Sequence, residues 1–355
     1  AIGWVVQHKN DRGLNIRVLN LSFGSESTQP YTLDPLAFAA EQAWRQGIVV
    51  VVAAGNDGNT AGHLTDPAID PDVIAVGASD PRNTASRADD GVATFSSGGA
   101  PGVRSPDLVA PGTSVASLRD PGSYIDTNYP TGRVTATSAP GGVDTSRLFR
   151  GSGTSQATAV TSGAVALLLQ QRPGLTPDQV KALLTSTATK LPGVPATIEG
   201  AGLLDIAKAS AAATPTTTQK SAAATGLGSL DLARGGSSLV DPTTGTALTG
   251  ERDIFGNAWN ASTFAAATIH ATSWRYGFFL GQRWSGDSWN PYPLWSQLTW
   301  VDLPWTSDDW AGQPWSTNTY PGVAWNGRHW TGDLSAQHWT GQHWTGQHWT
   351  GQHWT

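Results

Sequence analysis

Ile48 to Ala53 is an unbroken apolar run, mostly β-branched, with no polar position left for a solvent face. Such a run reads as a parallel strand buried on both sides. It stops at Gly55-Asn56-Asp57-Gly58, which reads as a turn at the strand's C-terminal end. Val18 to Leu21 leads into Ser22-Phe23-Gly24 and reads as a second strand ending in small residues. Val73 to Ala78 repeats the pattern, and Ala110-Pro111-Gly112 follows. Helical stretches lie between them. Asp34 is placed to cap a helix over Pro35 to Gln46, with Gly47 as its stop. A small-residue apolar run from Thr158 to Leu169 predicts a helix that can be buried, ended by Pro173-Gly174. Thr176-Pro177-Asp178-Gln179 is a capping-box start for a helix over Val180 to Thr187. Alternating elements of this kind predict an α/β fold, a parallel sheet with helices on both faces.

That pattern fills residues 1–213 and then fades. Ala207 to Thr225 is rich in Ala, Thr and Ser and reads as a helix end running into a linker, so 214–258 is expected to be a linker with a small segment of some β-structure. Residues 259–355 form a third unit dominated by tryptophan: of the 17 Trp in the chain, only Trp4 and Trp44 lie before it. From Trp284 to Trp315 they recur near every fifth residue, and the last block repeats Gln-His-Trp-Thr-Gly. A period of five matches neither a helix nor a strand. This unit is therefore expected to be irregular, β-rich or disordered, with residues 284–355 packing little against 1–213 and dispensable for its function. Rows of Trp without aliphatic neighbours make a poor core but good stacking platforms, so a contact with cell-wall or polysaccharide material is expected. His338, His343, His348 and His353 share the period; with no carboxylate or thiol in the repeat, sequence copying accounts for them better than a metal array.

Composition narrows the classes. A net charge of −6 over 355 residues, without a basic patch, speaks against a nucleic-acid partner. No apolar run reaches membrane-spanning length. The absence of Cys removes thiol chemistry and disulfides and suits a bacterial extracellular enzyme. The chain has no Met, and Ala1 to His8 reads as the middle of an amphipathic helix ending near Asp11-Arg12-Gly13. The expectation is an N-terminally truncated sequence, with any signal peptide on the missing part.

The chemistry centres on Gly153-Thr154-Ser155-Gln156-Ala157. A serine among small residues at a helix start can stand clear of the backbone, and the helix N-terminus offers N–H groups and positive dipole to developing negative charge. Asn56, at the end of its strand, sits where open α/β sheets place ligands and can donate its side-chain amide to an oxyanion. Read alone, Gly-Thr-Ser is most often an N-cap.

Six ordered blocks change that weighting: Ser22-Phe23-Gly24, Ala53-Ala54-Gly55-Asn56, Val73 to Ala78, Ala110-Pro111-Gly112, Gly153 to Ala157 and Gly200 to Asp205. Together they resemble the second half of a subtilisin-like serine protease (subtilase), over about residues 1–213. The resemblance implies that Ser155 is the nucleophile and Asn56 the oxyanion donor. It implies that Ser22, Phe23 and Gly24 form an edge pairing with extended substrate. It also implies that Ala53, Ala54 and Gly55 line the pocket for the residue before the scissile bond, with Thr154 beside them and Thr65 at the pocket's base. The family's proline shortly after the serine is replaced by Ala159.

The larger departure is that subtilases carry a catalytic Asp in an Asp-Ser/Thr-Gly turn and a His in His-Gly-Thr-His, and neither motif occurs here. His8 lies in a polar helix end and His63 in a Gly/Thr-rich loop, so neither is expected to be the base. The implied protein is the C-terminal part of a secreted or cell-surface serine endopeptidase acting on proteins or peptides through an acyl-enzyme, inactive as the 355 residues stand. No catalytic cofactor is implied; structural calcium is common in the family, but no motif here places it. The rival reading is a non-catalytic surface, assembly or glycan-binding protein that uses the Trp repeats.

Overall fold

The computed structural model describes residues 1–134, 145–216, 218–235, 249–253, 257–275, 278–280 and 282–283. Three parallel strands come from the apolar runs: β1 (Val18–Leu21), β2 (Val49–Ala53) and β3 (Ile74–Asp80). β4 (Gly91–Val92) pairs antiparallel with the end of β3, and β5 (Leu108–Pro111) pairs parallel with it, giving a mixed, mostly parallel five-stranded sheet. β1 is in register with β2 through Val18–Val49 to Leu21–Val52, and β1 ends the strand order. All five residues of β2 are buried, so both of its faces are covered, as a run without polar positions requires.

The helices follow their end signals. α1 (Ile2–His8) is followed by a 3₁₀ turn at Asp11–Gly13. Asp34 accepts from the Leu36 and Ala37 N–H groups and starts α2 (Pro35–Arg45). The short α3 (Tyr124–Asn128) carries Asp126. α4 (Thr154–Gln171) crosses β1, β2, β3 and β5. It buries Ala157, Thr161, Ala164, Val165 and Leu168, residues small enough near its start to let the helix lie close on the sheet. The buried hydroxyls of Thr158 and Thr161 are satisfied by carbonyls four residues back. α5 (Pro177–Thr187) has the capping box, with Thr176 and Gln179 each bonding the other's backbone. Two short helices, α6 (Ala196–Glu199) and α7 (Ile206–Ala211), follow.

One hairpin has no counterpart in the hydrophobic pattern. β6 (Val115–Leu118) and β7 (Leu148–Gly151) pair antiparallel, and β6 is largely exposed, so no apolar periodicity marks it. Asp126 ties its base together. Its carboxylate accepts from the Arg119 Nε at 2.6 Å and the Arg133 Nε at 2.7 Å.

The segment 214–258, expected to hold a linker, makes specific contacts where it is described. Residues 218–235 lie along the α2 side of the sheet domain. Ala224 N–H donates to Glu41, Thr225 N–H to the Thr32 carbonyl and Gly228 N–H to the Leu33 carbonyl. The Gln29 side chain donates to the Ser229 carbonyl and accepts from its N–H. Gly226, at φ +66°, lies flat against Phe38, where a Cβ would overlap the ring at 2.5 Å. This stretch holds a helical turn, α8 (Leu230–Arg234), and further on an antiparallel bridge joins Arg252 and Ala258. The boundary at 259 does not separate the next element either. α9 (Ala261–Ile269) packs on α2 through an edge-on Phe264–Phe38 pair, and the Trp274 N–H donates to Gln7 on α1. A run of Ala, Thr and Gly looks like linker because its own side chains bury little. Its backbone groups nonetheless find partners on α2 and on the loop before it, which sequence spacing does not show. The Trp rows from Trp284 onward, and the histidines of the last repeats, lie outside the described residues.

Candidate active site

Three chain segments converge on the first turn of α4. Gly112, just after β5, accepts from the Gly153 N–H at 2.8 Å, and Ser152 Oγ accepts from the Ser114 N–H at 2.8 Å. These bonds hold the β7–α4 junction in place, and Gly153 (φ +151°) makes the turn into the helix. Thr154 is the first helical residue and Ser155 the second.

Asn56 reaches this turn from the end of β2. Its Oδ1 accepts from both the Thr154 N–H and the Thr154 hydroxyl, each at 3.0 Å, across 98 positions of sequence. Two donors on the amide oxygen fix the side-chain orientation, with Nδ2 as the other end of the same rigid amide. Thr154 itself is fully buried. Its hydroxyl is engaged by Asn56.

Ser155 is partly exposed. Its Oγ donates to the Ser22 carbonyl at 3.2 Å, and the Ser22 hydroxyl donates back to the Ser155 carbonyl at 3.1 Å. This reciprocal pair joins the helix start to the segment that leaves β1. Ser22, Phe23 and Gly24 therefore run directly past the serine. Phe23 packs its ring on the main core, while Ser25 forms an antiparallel bridge with Asp66.

Ala53, Ala54, Gly55 and Thr65, expected to line a pocket, lie side by side. Ala53 and Ala54 are buried at the end of β2, and the Thr65 N–H donates to the Ala54 carbonyl at 3.1 Å. Thr65 is buried between Gly24 and Gly55. A Cβ on Gly24 would collide with Thr65 Oγ1, and one on Gly55 would come within 2.9 Å of Thr65 Cγ2. Gly55 also has φ +115°, so the strand end closes on this geometry only without a side chain. Behind it, Ser97 donates its N–H to Gly55 O and its hydroxyl to Asp57, and accepts from the Asp57 N–H. Ser97 lies in a Ser-Ser-Gly-Gly run that reads only as loop, so sequence reading missed it. Asp66, next to Thr65, is fully buried; burial, and then Asp34 beside it, hold its carboxyl well above the usual range.

The two histidines near the sheet domain serve elsewhere. His8 stacks on Trp4 at 4.3 Å and places Nδ1 against the Trp4 carbonyl. His63 pairs through Nε2 with Glu26 at 3.0 Å. Burial alone would lower its pKa, but the Ala61 carbonyl and Glu26 outweigh burial and raise it. Among the described residues no imidazole is hydrogen-bonded to Ser155 Oγ.

Similarity to known proteins covers this same region. Serine protease AprX of Bacillus subtilis is 41% identical over 210 residues, which are 58% of this chain and 45% of AprX. Subtilisin DY of Bacillus licheniformis is 34% identical over 193 residues, 54% of each protein. The chain thus spans about half the length of the curated relatives it matches. Among solved structures, fervidolysin from Fervidobacterium pennivorans, a keratinolytic enzyme related to subtilisin, is 30% identical with a TM-score of 0.43, over 61% of this chain and 28% of that one. No helix among the described residues is long and apolar enough to cross a membrane. The family model of the subtilases matches residues 1–203, more than half of the sequence and all of the elements that meet at Ser155, and the chain belongs to the subtilase family.

Proposed function

We propose that this chain carries the nucleophile and oxyanion half of a serine endopeptidase site. Ser155 is the nucleophile. The Asn56 amide and the Ser155 N–H, at the positive end of α4, hold the oxyanion of the tetrahedral intermediate. The Ser22–Gly24 segment pairs with extended peptide, and Ala53, Ala54, Gly55 and Thr65 surround the side chain before the scissile bond. The observation that carries this reading is the double clamp of Thr154 on Asn56 Oδ1, which holds the Asn56 amide at the helix start that bears Ser155.

In the complete reaction Ser155 Oγ attacks the peptide carbonyl while an aspartate-oriented histidine takes its proton. The histidine then protonates the leaving amine. Water hydrolyses the acyl-enzyme by the same route in reverse. As given, the chain is read as inactive, because the Ser155 hydroxyl bonds the Ser22 carbonyl and, among the described residues, no imidazole is hydrogen-bonded to it. The substrates proposed are proteins and peptides, and the site of action is outside the cell or on its surface. The Trp rows are proposed to contact cell-wall or polysaccharide material, a role supported by their stacking chemistry.

The test joins these residues behind a subtilase N-terminal half that supplies the histidine and aspartate. The joined protein should hydrolyse peptides and react with a fluorophosphonate, and Ser155→Ala should remove both. The chain by itself should label slowly or not at all. Labelling that survives Ser155→Ala would overturn the assignment.

A further inference from the structure

The segment read as the substrate edge is held partly by residues from outside the sheet domain. At one end Ser22 is tied to Ser155. Just past the other end, Ser25 commits its polar groups to two different parts of the chain. Its N–H donates to the Asp66 carbonyl and its carbonyl accepts from the Asp66 N–H, each at 2.9 Å. Its hydroxyl donates to the Ala233 carbonyl at 2.5 Å, across 208 positions of sequence. Asp66 adjoins Thr65 of the pocket, and Ala233 belongs to α8.

The contact with α8 continues beyond Ser25. Gly235, at φ +61°, ends the helix against the Glu26 backbone, and a Cβ there would run into the Glu26 carbonyl. Gln29 is buried; its side chain donates to the Ser229 carbonyl at 2.7 Å and accepts from the Ser229 N–H at 2.9 Å. It also donates to Asp34, the cap of α2. The far side of α8 is fixed as well. Glu251 accepts from the Leu230 N–H at 3.0 Å, Asp231 from the Gly250 N–H at 2.8 Å, and Arg234 donates to the Gly250 carbonyl at 3.1 Å. The short helix is thus anchored on two sides, and one of them is the stretch that directly follows the edge.

We propose that residues 229–235 brace the substrate edge, with Ser25 as the positioning residue that transmits the brace. This rests on the reading of Ser22–Gly24 as the segment that pairs with peptide, and it adds to that site a part lying beyond residue 203, where the family match ends. The physical reason is preorganisation. A peptide that adds as a strand bonds the backbone of the edge, and an edge already held in place loses less freedom on binding. Ser22 fixes one end only. With Ser25 tied to both Asp66 and Ala233, the second end is fixed and the edge is locked to the pocket base. None of these bonds involves Ser155 Oγ or Asn56, so the brace acts on the binding of extended peptide and not on the attack itself.

Three variants test this. Ser25→Ala removes the bond to Ala233 and keeps both backbone bonds to Asp66. Gly235→Ala pushes the end of α8 off Glu26. Tyr31→Phe removes a bond to the preceding part of the same segment, at the Ala222 carbonyl, away from the edge. In the full chain, hydrogen exchange reads the brace without catalysis. The Ser25 and Asp66 amides should exchange about tenfold faster in Ser25→Ala and Gly235→Ala, and at the parent rate in Tyr31→Phe. In the joined enzyme, KM for a peptide with several residues before the scissile bond should rise about five- to tenfold in the first two variants, with kcat nearly unchanged. Hydrolysis of a short ester and fluorophosphonate labelling should stay at the parent level, and Tyr31→Phe should match the parent throughout. The proposal is overturned if exchange at Ser25 and Asp66 does not change, if KM for the long peptide does not change, or if long-peptide and ester hydrolysis fall together, which marks general damage to the Ser155 corner. A joined enzyme without Ser155-dependent labelling overturns the catalytic reading, and the substrate role of the brace with it, even where the exchange result holds.

Discussion

The corner around Ser155 and the charged interior around Asp107 and Asp70 both join residues more than thirty positions apart, and they use opposite chemistry. At Ser155 the partners are neutral: an amide, two hydroxyls and backbone groups, most with a good partner. Behind the β2–β3 loop the partners are ions. Burial alone would raise the Asp107 carboxyl, but Arg104 and Lys181 outweigh it and hold Asp107 below its ordinary value. Lys181 is lowered by its own burial despite Asp107. Neutral hydrogen bonds fix orientation with little desolvation penalty, which suits a site that must aim a donor. Buried ions hold segments together only while each charge keeps its counter-charge. Stability and catalysis should therefore respond to mutation in separate places.

The largest expected effect tests the ionic side. Asp107→Ala leaves Arg104 and Lys181 buried without their carboxylate, and should destabilise folding by about 3–5 kcal/mol. Urea unfolding measures it. A loss under about 1 kcal/mol would mean that water reaches the pair and that this interior is not dry. Next comes Asn56→Ala in the joined enzyme. Turnover should fall on the order of 10²–10³ with KM nearly unchanged, because the donor acts on the transition state. Near-normal turnover would remove Asn56 from the site.

Thr154→Val separates orientation from presence. It deletes one of the two donors to Asn56 Oδ1 and keeps the backbone one, so turnover should drop about tenfold, the value of a single hydrogen bond. A drop as large as that of Asn56→Ala would show that the hydroxyl alone sets the amide. The smallest effect lies far from both regions. Thr176→Ala breaks the capping box of α5 and should cost about 1 kcal/mol, with no change in kcat/KM. Thermal melting and peptide kinetics on the same sample check both halves of that statement.

Much of the sheet domain was legible in sequence because its signals are local. An apolar β-branched run can be buried on both sides in only a few ways, and Ile48 to Ala53 became β2, inside the sheet between β1 and β3. Asp34 and Thr176 capped the helices they precede, since a cap acts over three residues. Ser155 and Asn56 were legible as candidates because the turn and the helix start that present each lie next to it in sequence. The β6–β7 hairpin was not legible. Its exposed strands carry no periodicity, and its base is closed by Asp126 with Arg119 and Arg133.

What the sequence by itself determined is thus the buried strands, the capped helices and the residue types offered for chemistry. Tertiary structure decided what each side chain faces. It put Thr154 on Asn56, put Ser97 behind Gly55, and laid an Ala/Thr-rich stretch over α2 and the loop before it. It also brought Ala233 to Ser25. The physical reason is one of range. Caps, turns and strand burial are settled by neighbours a few residues away, whereas hydrogen bonds and charges are settled by whatever the fold brings within about 3 Å, and sequence spacing carries no record of that.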